Sequence, residues 1–262
     1  GKFSLFPALA ALLGALLIQI GANYSNDLFD FQKGVDTSQR VGPTRVTQAG
    51  LLSQREVAVG TGMVFGLAAL CGAYLAWVSG WPVIAIGALS ILAALAYTGG
   101  PYPLGYNGLG EVFVFLFFGV AAVVGTYYVQ AREASPAAFA LAIPVGLLVV
   151  NILVVNNLRD IETDRSTGKH TLAVRYGAEW TRDEYLAVLS LAYLSLALIA
   201  LSGLLPVWVM ASWASLPLAV GLVRSVWTDA GRALNRTLAA TGRLELIFCL
   251  LTAIGLVVAA VF

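Results

Sequence analysis

The 262-residue chain has little charge. Asp, Glu, Lys and Arg make up only 11% of it, against roughly 25% in soluble domains. The formal net charge is +1, which excludes the basic footprint of a nucleic-acid partner. His170 is the sole histidine, so no multi-histidine metal cluster can form. The two cysteines, Cys71 and Cys249, lie inside apolar runs, and buried free thiols are expected, with neither a disulfide nor a zinc site. The chain starts with Gly1 rather than Met, so residue 1 is not expected to be the native start. No charged segment with a cleavage site precedes the first apolar run, which is therefore not read as a removable signal peptide.

Apolar residues are abundant: 59% of the chain, with a mean hydropathy of +0.84. Repeated apolar windows near the ~20 residues that span a bilayer indicate an all-α polytopic membrane protein. The pattern predicts eight helices, at about 4–26, 57–79, 82–98, 110–130, 137–157, 183–203, 206–227 and 244–262. Long polar connections at 27–56, 158–182 and 228–243 alternate with short ones, and the 99–109 connection falls on the long-loop side. Thirteen of the fifteen Lys and Arg residues map to that side, whereas Lys2 and Arg132 map to the other. By the positive-inside rule the long connections face the cytoplasm, in a cell membrane, and both ends of the chain as given face outward. Pro82, Pro136 and Pro206 suit helix starts, and Pro144 and Pro217 predict kinks. Trp77, Trp81, Trp208 and Trp213 are expected in an interfacial belt.

Carboxylates near hydrocarbon need a compensating role. In NNLRDIETDRSTGKHTLAVRYG (156–177), Asn156 or Asn157, Asp160 and Asp164 recur at helical spacing, so they share one face. In GANYSNDLFDFQKGVDT (21–37), Asn23, Asp27 and Asp30 do the same, and Asn26 and Asp36 extend the cluster. NDLFD at 26–30 aligns with NNLRD at 156–160, which reads as a pseudo-repeat with both ends facing one cavity. Amide and carboxylate oxygens are hard ligands of the type that suits magnesium. Two such clusters would repel without cations between them, and Mg²⁺ ions bridging a diphosphate meet that need. Arg45, Arg159, Lys169 and Arg175 are candidates for the remaining phosphate oxygens. The alternative is plain pairing of the carboxylates with nearby arginines, such as Asp160 with Arg165. Glu111 is expected to favour the start of the fourth helix.

These two motifs resemble the NDxxDxxxD-type and DxxxD-type signatures of the UbiA superfamily of intramembrane aromatic prenyltransferases. Within it, Asn26–Ser53, Tyr97–Gly119 and 156–177 are most similar to the branch that prenylates 1,4-dihydroxy-2-naphthoate in menaquinone biosynthesis. The resemblance implies a transmembrane helical bundle around a central cavity, with Mg²⁺ as cofactor and a polyprenyl diphosphate as donor. Carried over, Asn23, Asn26, Asp27, Asp30 and Asp36 form the first metal motif, and Asn157, Asp160 and Asp164 the second. Arg45 and Lys169 bind the diphosphate, and Tyr97 lies near the ionising carbon. Where other members carry a basic residue shortly after that tyrosine, this chain has Pro101 and Tyr102. The family has nine helices, and the first run here ends in the motif that closes the family's second helix. The chain is thus expected to be one prenyltransferase domain, 1–262, without the family's first helix.

The implied reaction ionises the allylic C–O bond in a water-poor pocket. Tyr24, Phe29, Tyr97, Tyr102 and Tyr106 are candidates to face the allylic cation. The naphthoate ring carbon that bears the carboxylate then attacks, with loss of CO2, and Arg159 or Arg45 is a candidate to hold that carboxylate. Other readings are the same chemistry on 4-hydroxybenzoate, homogentisate, chlorophyllide or an isoprenoid glycerol lipid, or a cation- or proton-coupled transporter. The transporter reading expects its charges near the bilayer midplane. Both clusters here fall at helix ends beside basic connections, which disfavours it.

Overall fold

The computed structural model describes residues 3–36 and 40–261; Lys2 lies outside them. Among the described residues the chain is helical, without strands. The helices are α1 (Leu5–Gln32), α2 (Gln54–Ser79), α3 (Pro82–Thr98), α4 (Gly110–Ala131), α5 (Pro136–Ser166), α6 (Leu172–Leu201), α7 (Val207–Thr228) and α8 (Gly231–Val261). Seven are long and apolar enough to cross a membrane, and α3 is the shorter apolar helix.

Local chemistry sets these limits. Ser53 caps α2 reciprocally with Glu56, each side chain accepting the other's backbone N–H, which satisfies two of the donors a helix start leaves open. Pro82 opens α3, and Glu111 lies in the first turn of α4. Within α4, Phe115–Ala121 widens to a π-helix. Gly177 breaks α6 at φ 86°, a left-handed conformation that glycine adopts without steric cost.

The chain forms two compact units. The first comprises Gly1–Phe113, Val124–Ala134 and Thr163–Thr171. Its α1 packs on α2 through small residues. A Cβ at Gly21 would lie 2.5 Å from the Phe65 ring, and one at Gly14 3.4 Å from Cys71 Cβ. Lipid offers no hydrophobic drive for helix pairing, so such close approach supplies the contact. Leu9, Leu12, Leu13 and Leu16 remain exposed on α1, a surface suited to a bilayer. The second unit comprises Val114–Val123, Ser135–Glu162 and Leu172–Phe262. Its core includes Val154, Tyr185, Leu196, Val209, Val226 and Phe248, all fully buried. There a Cβ at Gly119 would lie 2.6 Å from Gly146 Cα.

The eight expected helices are present, but the expected polar connections are shorter. Helix α1 runs to Gln32, α5 to Ser166 and α6 starts at Leu172, so most of 158–182 is helical, and 228–243 lies largely in α8. Hydropathy marks where apolar sequence ends, not where helical hydrogen bonding ends. Pro217 lies in the first α-helical turn after the 3₁₀ stretch Val207–Ser215, where its missing N–H is tolerated; Pro144 is inside α5. Trp77, Trp81 and Trp208 are exposed. Trp213 instead packs edge-on against Tyr193, with ring centroids 6.2 Å apart. Both cysteines are free and partly buried.

Candidate functional site

The end of α1 carries polar side chains on successive turns, and most are buried. Asp27 is 4% exposed, Asp30 2% and Asp36 9%. Burial of a carboxylate is costly unless it is paired or hydrogen-bonded, so the partners of each define the site.

Asp27 is held by backbone. Its Oδ2 accepts from Val46 N–H at 2.8 Å and its Oδ1 from Thr47 N–H at 3.2 Å. Asp30 is held by side chains. Its Oδ1 accepts from the Tyr106 hydroxyl, while Arg45 Nη2 and Lys169 Nζ lie 3.6 and 3.7 Å from its Oδ2. Asp36 accepts from Arg40 Nη1 at 2.5 Å. Its other oxygen is buried without a hydrogen bond, 3.5 Å from Arg45 Nε. Burial pushes the Asp36 carboxyl above its ordinary value despite Arg40. On the neighbouring turn, Asn26 Oδ1 accepts from the Thr98 hydroxyl at 2.8 Å, and Lys33 Nζ donates to the Thr98 carbonyl at 2.6 Å. Partial desolvation pulls the Lys33 ammonium down.

Tyr106 joins three segments. Its ring lies 4.9 Å from Lys33 Nζ and 4.7 Å from Lys169 Nζ, within cation–π range. Its carbonyl accepts from His170 N–H at 2.7 Å. Lys169 Nζ also lies 3.6 Å from Asp164 Oδ1. The first unit therefore assembles Asp27, Asp30, Asp36, Arg45, Asp164 and Lys169, six of the residues singled out from sequence. Tyr97 is half-buried on α3, its ring packed against Gly105. Asn23 is exposed, and its carbonyl accepts from Arg45 Nη1 at 3.4 Å.

In the second unit Arg159 is the organiser. Its Nε and Nη2 donate to the two oxygens of Asp160 at 2.8 and 2.6 Å. Its Nη1 donates to Asn235 at 2.9 Å, and Nη2 also to Asn156 at 2.8 Å. Asp160 thus pairs with its immediate neighbour on the chain. Asn157 is buried and Arg175 is exposed in the first turn of α6. Along α5, Asn157, Asp160 and Asp164 fall on successive turns, as their spacing predicts.

The sequence pattern gives Lys33 and Arg40 no role beyond the cationic bias of the long connections, gives Thr98 none, and offers Tyr106 only as a face for the allylic cation. The usable signal was the clustering of Lys33 and Arg40 with the acidic motif. Nothing in the spacing linked residue 106 to residue 30.

Membrane-length helices that end in buried carboxylates paired with lysines and arginines define a multi-pass membrane protein with an ionic centre. The chain belongs to the UbiA prenyltransferase family, whose model matches residues 1–246. It is 41% identical over 251 residues to the 1,4-dihydroxy-2-naphthoate octaprenyltransferase of Mycobacterium tuberculosis, covering 95% of this chain and 84% of that protein. Its fold is similar to the apo structure of a UbiA homolog from Aeropyrum pernix K1, with a TM-score of 0.76 at 16% identity over 98% of this chain and 91% of that one. A UbiA homolog from Archaeoglobus fulgidus, described as bound to DMAPP and Mg²⁺, matches with a TM-score of 0.63 at 17% identity over 97% of this chain and 89% of that one.

Proposed function

We propose that this chain transfers a polyprenyl group from polyprenyl diphosphate to 1,4-dihydroxy-2-naphthoate, releasing diphosphate and CO2 and forming demethylmenaquinone in its reduced, hydroquinone form. The observation that carries the reading is the 41% identity, across 84% of its length, to the mycobacterial naphthoate octaprenyltransferase. The active site lies on the cytoplasmic face, supported by the bias of Lys and Arg toward the connections that carry the acidic motifs.

Mg²⁺ fits the donor set. Carboxylates of Asp30, Asp36 and Asp164 and the amide of Asn26 are hard oxygen donors, and Asp36 keeps one buried oxygen without a hydrogen bond. Mg²⁺ takes hard oxygen donors and is held by one or two carboxylates plus substrate phosphates. Within the second unit, Asn157 and Asp160 on α5 are hard oxygen donors of the same kind. When bound, the metal neutralises charge that develops on the departing diphosphate.

This chain's own residues do the rest. Arg45 and Lys169 stand at 3.6–3.7 Å from Asp30, close enough to neutralise it and too long for tight hydrogen bonds. Both cations therefore hold Asp30 in reserve and bind the diphosphate when it arrives. The Tyr106 hydroxyl keeps Asp30 oriented. As the allylic C–O bond breaks, its electron pair leaves with the diphosphate. The carboxyl-bearing ring carbon attacks the allylic cation, a C–C bond forms, and the bond to CO2 breaks with its electrons returning to the ring. The apolar tail of the donor lies in lipid.

Detergent-purified protein with a polyprenyl diphosphate and carboxyl-labelled dihydroxynaphthoate tests this. Prenylated product and labelled CO2, both lost on chelation of Mg²⁺, are expected. No naphthoate product alongside turnover of 4-hydroxybenzoate or homogentisate would sink the acceptor assignment.

A further inference from the structure

The resemblance that placed Asp27 among the metal ligands does not match how its carboxylate is used. Both oxygens accept backbone N–H groups of consecutive residues, Val46 and Thr47, at 2.8 and 3.2 Å. Asp27 is buried, so its carboxylate depends on these protein donors. Side-chain cations on the other aspartates can swing away when a ligand arrives, whereas backbone donors can leave only if the segment itself moves. That segment is internally tied: Ala49 N–H donates to the Arg45 carbonyl at 3.0 Å, and Leu51 N–H to the Val46 carbonyl at 3.0 Å.

The residue directly before the two donors is Arg45. Its guanidinium reaches Asp30 and Asp36 at 3.6 and 3.5 Å and the Asn23 carbonyl at 3.4 Å. Its aim therefore depends on where Val46 and Thr47 are anchored.

We propose that Asp27 is a positioning residue, not a metal ligand: it clamps the Val46–Thr47 backbone and so aims Arg45 at the diphosphate. A charged acceptor is needed because it bridges two N–H groups at once, and charge-assisted bonds of this kind are about twice as strong as neutral ones. The functional part of this inference rests on the prenyl-transfer reading above, but the clamp itself does not.

Two measurements test it on the full chain in detergent. Hydrogen–deuterium exchange resolved at Val46 and Thr47 reads the clamp directly. Asp27→Asn, which keeps one acceptor oxygen and the side-chain size, is expected to speed exchange at those two amides by about tenfold or more. Asp30→Asn leaves them slow. Steady-state kinetics read the consequence. Asp27→Asn raises KM for the polyprenyl diphosphate, and adding Arg45→Ala on top raises it little further, because both changes remove the same contact. The Mg²⁺ half-saturation, at saturating donor, stays at the wild-type value in Asp27→Asn and rises in Asp30→Asn. Unchanged exchange in Asp27→Asn overturns the proposal, as does a Mg²⁺ half-saturation that rises as in Asp30→Asn. A wild-type enzyme inactive on the naphthoate overturns the functional reading and leaves the exchange result to decide the clamp.

Discussion

The Tyr106 hydroxyl donates to Oδ1 of Asp30, a residue 76 positions away. The same tyrosine carries two lysines on its ring and takes the His170 N–H on its carbonyl. It thereby ties the end of α1 to the α3–α4 and α5–α6 connections. Tyr106→Phe removes only the hydroxyl, a hydrogen bond to a charged group worth roughly 1.5–3 kcal/mol. The expected result is a fall in kcat/KM of about 10- to 100-fold. Tyr106→Ala, which also removes the ring beside both lysines, is expected to fall further. Wild-type turnover in Tyr106→Phe would rule out this tie as a working part of the site.

Tyr106 also sets an alkaline limit. Burial, then the Asp30 carboxylate, raises its phenol above the ordinary 10.0. As pH climbs past 10.0, the unfolded chain releases a proton that the folded site retains, so the unfolded state gains and stability falls. Melting curves in chelator between pH 9 and 11.5 are expected to drop more steeply for wild type than for Tyr106→Phe. Parallel curves would show that this phenol contributes nothing to the drop.

Arg45 and Lys169 share Asp30 Oδ2. Arg45→Ala and Lys169→Ala are each expected to raise the donor KM by about tenfold, one charge-assisted hydrogen bond apiece. Inhibition by inorganic diphosphate should weaken in step, since the lost contact is to phosphate. Arg45→Lys should not restore binding fully, because a single ammonium cannot reproduce the planar fork. Unchanged inhibition by diphosphate in both variants would remove these residues from the donor site.

The helices were legible because lipid imposes a simple code, about twenty apolar residues per crossing. Their ends were not. The code falls silent at Gln32, Ser166 and Leu172, where polar residues continue the helix and tertiary partners hold them. The acidic motifs were legible because Asp27, Asp30, Asp160 and Asp164 recur at helical spacing, which needs no knowledge of the fold. The partners of each were a different matter. Spacing alone does not distinguish Asp27, bonded to backbone twenty residues on, from Asp30, bonded to Tyr106. Nor does it reveal that Arg159 is taken up by its neighbour Asp160. Hydrogen-bond partners that are distant in sequence are set by packing, and packing leaves no periodic trace.

Arg159 is the test of the second motif. Its guanidinium is bidentate to Asp160 and also bonded to Asn156 and Asn235, and its side chain is 1% exposed. Breaking a buried pair by removing one partner costs roughly 3–5 kcal/mol because the other charge stays buried. Arg159→Ala is expected to lower the melting temperature strongly, and Mg²⁺ is expected to recover part of the loss if Asp160 binds the metal. The double variant Arg159→Ala/Asp160→Asn should be more stable than Arg159→Ala alone. A double variant no better than the single would show that Asp160 is not the group left exposed to the penalty.

The backbone contact between Gly119 and Gly146 bears on the second unit without touching any polar group. A Cβ on Gly119 would lie 2.6 Å from Gly146 Cα and 3.2 Å from the Ala142 carbonyl oxygen. Both are backbone atoms, which cannot rotate aside as a side chain would. The π-helical stretch Phe115–Ala121 holds Gly119 at this point, and Phe115 already fills the space over Gly146, 2.8 Å from where its Cβ would be. Overpacking of this kind costs about 1–3 kcal/mol, and Gly119→Val should cost more than Gly119→Ala because its branches point at the same backbone. Gly87, where nothing lies within 4 Å of an added Cβ, serves as the control, and Gly87→Ala is expected to be near neutral. Thermal melting of the variants in one detergent checks the ranking. A Gly119→Ala protein as stable as Gly87→Ala would mean that α4 can move away from α5 at little cost.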